Sequence, residues 1–259
     1  MDGNDQAMPT EPTPKQEEAT ERPAPNEFQR IGAEFLGTFL LTLVAAGADI
    51  LDQVTPPQTI GHVARYVAPA LTVMAMIYSL TAISGAHINP AVTLAFFVRR
   101  SFPARRLPGY WIGQFAGAVV AAGMLRAIFG PAIEHGVTKP TMGFTDIQAV
   151  VTEAILAFIL VYTILATSEE EGTVGKNAGL AVAGVIALCG LAFSPVSGGS
   201  MNPARSLGPA LASGMLGYMW IYFAGPITGA LAAAGAVELI HGPPSRGEFE
   251  AGHGKHQHT

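Results

Sequence analysis

Cysteine and charge are both scarce in this chain. One cysteine, Cys189, among 259 residues excludes a disulfide framework and a cysteine-based zinc site. Charged residues make up 13%, against about 25% in an ordinary soluble domain. The net charge of −5 and a pI near 5.8 argue against a nucleic-acid partner. A Gly-rich phosphate loop ending in lysine is missing, so ATP-driven work is not expected. The apolar segments hold no nucleophile–base pair and no metal-ligand cluster, so neither an enzyme nor a cofactor or metal site is expected. What the chain has is 49% hydrophobic residues and a mean hydropathy of +0.36. That balance excludes a disordered protein, a coiled coil and most soluble enzymes, and leaves a polytopic membrane protein.

Six apolar runs are long enough to cross a hydrocarbon core about 30 Å thick. They cover Ile31–Ile50, Val67–Ile83, Leu107–Phe129, Ile147–Thr167, Gly179–Val196 and Gly214–Ile240. Residues 1–30 hold five prolines, seven acids and three bases. They bury too little apolar surface to offset chain entropy and read as a disordered acidic tail. They lack the basic start and apolar run of a cleavable signal peptide. The membrane-embedded part is expected over 31–240, as repeats of about 31–130 and 147–240. Residues 241–259, rich in Gly and His, read as a second disordered tail. With the N-terminus inside, ten Lys and Arg fall on the inner side and only Arg65 and Lys139 on the outer. The positive-inside rule therefore places both termini in the cytoplasm, the plasma membrane (or a bacterial inner membrane) being the expected site.

The two halves share three features in the same order. Each opens with a span bearing one acid, Glu34 or Glu153. Each then carries a Ser-Gly…Asn-Pro-Ala segment, Ser84–Thr93 or Ser197–Ser206. Each third span holds a Gly-x-x-x-Gly pair, Gly113 with Gly117 and Gly225 with Gly229. Three spans per half make the second half an inverted copy of the first, with equivalent loops facing each other near the midplane.

Asn is a favoured helix N-cap and Pro a favoured first helical residue. Asn89–Pro90 and Asn202–Pro203 therefore mark two helix starts. The apolar stretches that follow, Ala91–Val98 and Ala204–Ala212, are too short to span. Irregular backbone at membrane depth must be buried or line a water-filled path. Two half-helices entering from opposite sides would turn their positive ends toward the midplane and repel cations there. The two Asn side chains would donate hydrogen bonds to a passing neutral molecule.

On these paired motifs, Asn89-Pro90-Ala91 and Asn202-Pro203-Ala204, the chain resembles the aquaporin superfamily, the major intrinsic proteins, over about residues 28–240. The resemblance implies an all-α fold of six tilted helices and two re-entrant half-helices, a pore in each subunit and a homotetramer in the lipid bilayer. The wording of the motifs is similar to nodulin-like intrinsic proteins and their bacterial relatives, a subgroup associated with glycerol and metalloids. Ser206 stands where glycerol facilitators usually carry Asp. The resemblance makes Arg205 the selectivity-filter arginine. It favours a supporting role for Glu34 and Glu153, hydrogen-bonding the loops beside them, over snorkelling to an interface. His87 is expected to pin its loop likewise.

Counting from the motifs, the family's other filter positions fall at Pro69, Gly190 and Gly199. An aromatic and a His, typical of water-selective members, are both absent there. A wide constriction follows, with Arg205 as its only polar side chain unless Phe193 or Met201 fills the gap. Such a pore should pass water, glycerol, urea and uncharged metalloid hydroxides. The alternatives are a water-selective aquaporin and, in another class, a proton-coupled secondary transporter using the two Glu as relays. Arg126 is expected to snorkel. Cys189 is either a mercurial target beside the filter or a small buried apolar residue. His253, His256 and His258 read as a solvated tail or a metal or pH site, and Glu169–Glu171 as a solvated or gating loop. The glycine pairs read as packing within the subunit.

Overall fold

A computed structural model describes residues 23–57, 59–168 and 177–254. Helix α1 spans Glu27–Val54, α2 Gly61–Ser84, α3 Pro90–Val98, α4 Leu107–Phe129 and α5 Asp146–Ser168. Then follow α6 Ala178–Ser197, α7 Pro203–Ser213, α8 Met219–His241 and α9 Arg246–His253. Six of these are long and apolar enough to cross a membrane. The described residues contain no strand.

Small residues let the long helices meet backbone to backbone. A Cβ on Gly117 would stand 2.3 Å from the Phe35 carbonyl of α1, and one on Gly229 only 2.1 Å from the Ala154 carbonyl of α5. The two glycine pairs thus seat α4 against α1 and α8 against α5, inside the chain. The same pairing in each half expresses the repeat. Large apolar side chains such as Leu71, Ile112, Ile128, Val151, Leu180 and Leu239 remain exposed on the outer faces, as a lipid-facing or subunit-facing surface requires.

Several boundaries differ from expectation. The first span begins at Glu27, because Asn26 and Gln29 form a capping box that satisfies two terminal amides. Residues 27–30 are therefore helical, not tail; residues 1–22 lie outside the described residues. The second span begins at Gly61, six residues early, which puts Arg65 on a helix instead of in a loop. The last span starts at Met219, since Gly214 ends α7 in a left-handed cap and a turn follows.

The C-terminal tail also needs correction. Residues 246–253 form α9, capped by the Ser245 hydroxyl. It is held by charge. Arg99, 2% exposed, donates to the fully buried carboxylate of Glu248 and to Glu238. Arg30, also buried, donates to the Ile83 and His253 carbonyls. Both arginines, two of the ten bases expected on the inner side, are anchors. His253 lies in α9, its ring 6.2 Å from that of Phe102. His256, His258 and Glu169–Glu171 lie outside the described residues.

Candidate functional site

Two loops, Gly85–Ile88 and Gly198–Met201, interrupt the bundle. Each leaves its helix through a left-handed glycine, Gly85 (φ +87°) or Gly198 (φ +85°). Each stays strained: Ala86, Ile88 and Met201 have φ of +52°, +43° and +56°, conformations that cost a residue with a Cβ about 1–2 kcal/mol. Their amides have no helical partners, and a buried orphan amide is costly. Glu34 meets this demand in the first half. Its carboxylate accepts from the His87 amide at 2.9 Å, the Ile88 amide at 2.6 Å and the Ser84 hydroxyl at 2.7 Å. Glu153 accepts from the Ser200 amide, the Met201 amide and the Ser197 hydroxyl at 2.9, 2.7 and 2.8 Å. Both carboxylates are fully buried.

The Asn residues close the arrangement. Asn89 Oδ1 accepts from the Ala91 amide, and Asn202 Oδ1 from those of Ala204 and Arg205. Each is therefore an N-cap with Pro90 or Pro203 at the first helical position. Their side-chain amides cross between the halves. Asn89 Nδ2 donates to the Met201 carbonyl and Asn202 Nδ2 to the Ile88 carbonyl, both at 2.9 Å. These reciprocal bonds bring the positive ends of α3 and α7 together. An amide nitrogen carries two hydrogens, so one on each Asn is spent on this cross-link and one is left for the lumen.

One cavity runs past both Asn residues, and Pro69, Gly190, Gly199 and Arg205 all line it. His87 lines it too, its ring nitrogen Nδ1 3.2 Å from the Thr93 hydroxyl and its face stacked on Phe96. The expectation of a bare constriction is corrected here. Tyr66 and Arg65 line the same cavity. Tyr66 lies three residues before Pro69 and so on the same face of α2. A Cβ on Gly190 would meet the Tyr66 ring at 2.5 Å; the ring occupies the room that Gly190 leaves. Arg205 is not the only polar side chain there. Met201 lines the cavity as expected of a gap-filler, whereas Phe193 is 43% exposed on the outer surface. Cys189 is fully buried in an apolar cluster with Leu156 and Val182 and does not line the cavity. Arg126 donates to the Ala212 carbonyl at the end of α7.

Some participants escaped the reading of the chain. Tyr110 and Tyr222 each donate a hydroxyl to the carbonyl of the last residue of α2 or α6, Ser84 or Ser197, at 2.8 and 2.5 Å. The signal was present, since each Tyr stands three residues before its Gly-x-x-x-Gly pair. Gln114, which donates to Glu34 at 2.7 Å, has no counterpart in the second half, where Pro226 stands. Asp49 was overlooked inside the first span. Its carboxylate accepts from Arg205 Nη2 at 2.7 Å.

A family profile described as Major intrinsic protein matches residues 22–237. Aquaporin NIP1-1 of Oryza sativa subsp. japonica is 44% identical over 214 residues, 82% of this chain and 74% of its own length. Aquaporin NIP2-1 of Zea mays is 41% identical over 210 residues, 81% of this chain and 70% of its own. The X-ray structure of the aquaglyceroporin from Plasmodium falciparum has the same fold. Its TM-score is 0.73 at 23% identity, covering 84% of this chain and 98% of that one.

Proposed function

Because this chain belongs to the major intrinsic protein family, we propose that it is a passive channel for water and small neutral solutes. The solutes are glycerol, urea or uncharged metalloid hydroxides. The observation that carries the reading is the single cavity lined by Asn89, Asn202 and Arg205 between the capped ends of two half-helices. Loop amides are committed to Glu34 and Glu153, so the lumen meets Asn hydrogens, carbonyls and the guanidinium. Hydroxyl-bearing neutral molecules can exchange hydrogen bonds along such a path. Converging helix ends oppose cations and protons. Pro69, Gly190, Gly199 and Arg205 form the proposed filter, Glu34, Glu153 and His87 its support. The proposed assembly is a homotetramer with both termini in the cytoplasm.

One observation favours a narrower, water-selective pore: the Tyr66 ring lies against Gly190. Stopped-flow light scattering on proteoliposomes under a glycerol gradient separates the two. Rapid shrinkage with rapid reswelling supports the wider pore. Rapid shrinkage without reswelling assigns the narrower one, and no acceleration over empty liposomes overturns the channel.

A further inference from the structure

Arg65 and Arg205 line the cavity, and two acids behind them, Asp49 and Asp52, complete a cluster of four charges. Asp49, near the end of α1, is 8% exposed, and Arg205 is 6% exposed. The Asp49 carboxylate bridges two arginines. Its Oδ2 accepts from Arg205 Nη2 at 2.7 Å, and its Oδ1 from Arg65 Nη2 at 2.8 Å and Nε at 3.0 Å. One turn on, Asp52 accepts from Arg65 Nη1 at 3.1 Å and from the Gly61 amide at 3.1 Å. The Arg65 guanidinium carbon stands 5.5 Å from the centre of the Tyr66 ring, the ring that covers Gly190. We propose that Asp49 is a specificity-determining positioning residue, which fixes how much of the constriction Arg205 occupies and cancels its charge. The inference rests on the channel reading above.

The argument is geometric first. Arg205 is tied at two points, Nη2 to Asp49 and Nη1 to the Gly136 carbonyl at 3.3 Å. Both ties hold the guanidinium to α1 and to the turn after α4. Charge-assisted bonds of this kind are about twice as strong as neutral ones, so Asp49 is the firmer tie. The electrostatics agree. Two acids and two guanidinium groups sum to zero, so the cluster keeps directional donors without a net field on a neutral solute. Without the Asp49 carboxylate, Arg205 keeps only the neutral Gly136 carbonyl among the described residues, and the cluster becomes positive. The guanidinium then extends into the lumen and obstructs a large solute more than water.

The test compares wild type, Asp49→Ala, Asp49→Glu and Arg65→Gln as full-length protein in liposomes of equal protein density. Water and glycerol permeabilities are read by stopped-flow light scattering. In Asp49→Ala the glycerol-to-water ratio should fall about fivefold, the change produced by a barrier difference of about 1 kcal/mol. Asp49→Glu, which keeps the charge, should recover most of the ratio. Arg65→Gln, which leaves the Asp49–Arg205 pair intact, should change it least. An unaltered ratio in Asp49→Ala, or a loss that Asp49→Glu does not recover, overturns the proposal. Should Asp49→Ala fail to fold, Asp49→Asn, which is isosteric and keeps only a neutral acceptor, should lower the same ratio by a smaller factor. If wild type passes water but no glycerol, the wide-pore reading fails, and the proposal stands or falls on the drop in water permeability in Asp49→Ala. A wild type with no flux at all overturns the channel reading and this inference together.

Discussion

Glu34 and Glu153 each serve two backbone amides and a hydroxyl that nothing else nearby can satisfy. Removing either carboxylate strands these donors in a dry interior, at about 1–3 kcal/mol for each unmet group. Glu153→Ala should therefore lower the thermal unfolding midpoint in detergent by several degrees and abolish flux. Glu153→Gln, which keeps one acceptor oxygen, should lose less. At Gly190 the local crowding is as sharp. Gly190→Ala forces its new methyl against the Tyr66 ring, 2.5 Å away before relaxation, an overpacking that typically costs about 1–3 kcal/mol. Tyr66→Ala removes the ring instead and should raise glycerol permeability more than water permeability. An unchanged ratio in that variant would show that the ring does not narrow the path. The acids and the Asn-Pro pairs were legible in the chain because both occur twice in register. Tyr66 was not, because its place in the site depends on a glycine 124 positions away.

At the scale of elements, close contact between helices rests on a few glycines while others are indifferent. Gly229→Leu should separate α5 from α8, since even a Cβ there meets a carbonyl at 2.1 Å. Gly123→Ala, on the open side of α4 with nothing within 4 Å, should leave the unfolding midpoint unaltered. A matched pair of melting curves checks both. Helix α9 depends on charge. Breaking a buried ion pair by removing one partner costs about 3–5 kcal/mol. Glu248→Ala removes the fully buried acid paired with Arg99, while its other acid among the described residues, Glu238, is half exposed. The expected outcome is a lowered midpoint and faster proteolysis after residue 241, measured by limited digestion and mass spectrometry. The composition of 241–259 concealed this helix. Its polar residues are those of a solvated tail, and the reason for them to fold lies in distant partners, the buried Arg99 and Arg30.

For the whole molecule, apolar outer faces and a lumen within one chain make each subunit a complete path in the proposed tetramer. Native mass spectrometry from mild detergent should show four copies, and a monomer as the only species would remove the tetramer from the reading. Flux should then scale with protein density and not with its square, because no subunit completes the path of another.

Hydropathy, the inverted repeat and the doubled Asn-Pro-Ala segment determined the class, the span count and the loop centres from the sequence alone. Those features are local, written in runs of apolar residues and in capping chemistry that a short window contains. Tertiary structure decided the rest. Asp49 meets Arg205 across 156 positions, Asn89 reaches the Met201 carbonyl across 112, and Arg99 finds Glu248 across 149. Such partners are chosen by how helices cross and how far a side chain reaches, and no spacing along the chain encodes them. For the same reason the small residues at Pro69, Gly190 and Gly199, all of which line the cavity, say little by themselves about the space between them. The ring of Tyr66, one turn before Pro69 on α2, lies against Gly190 and takes part of it.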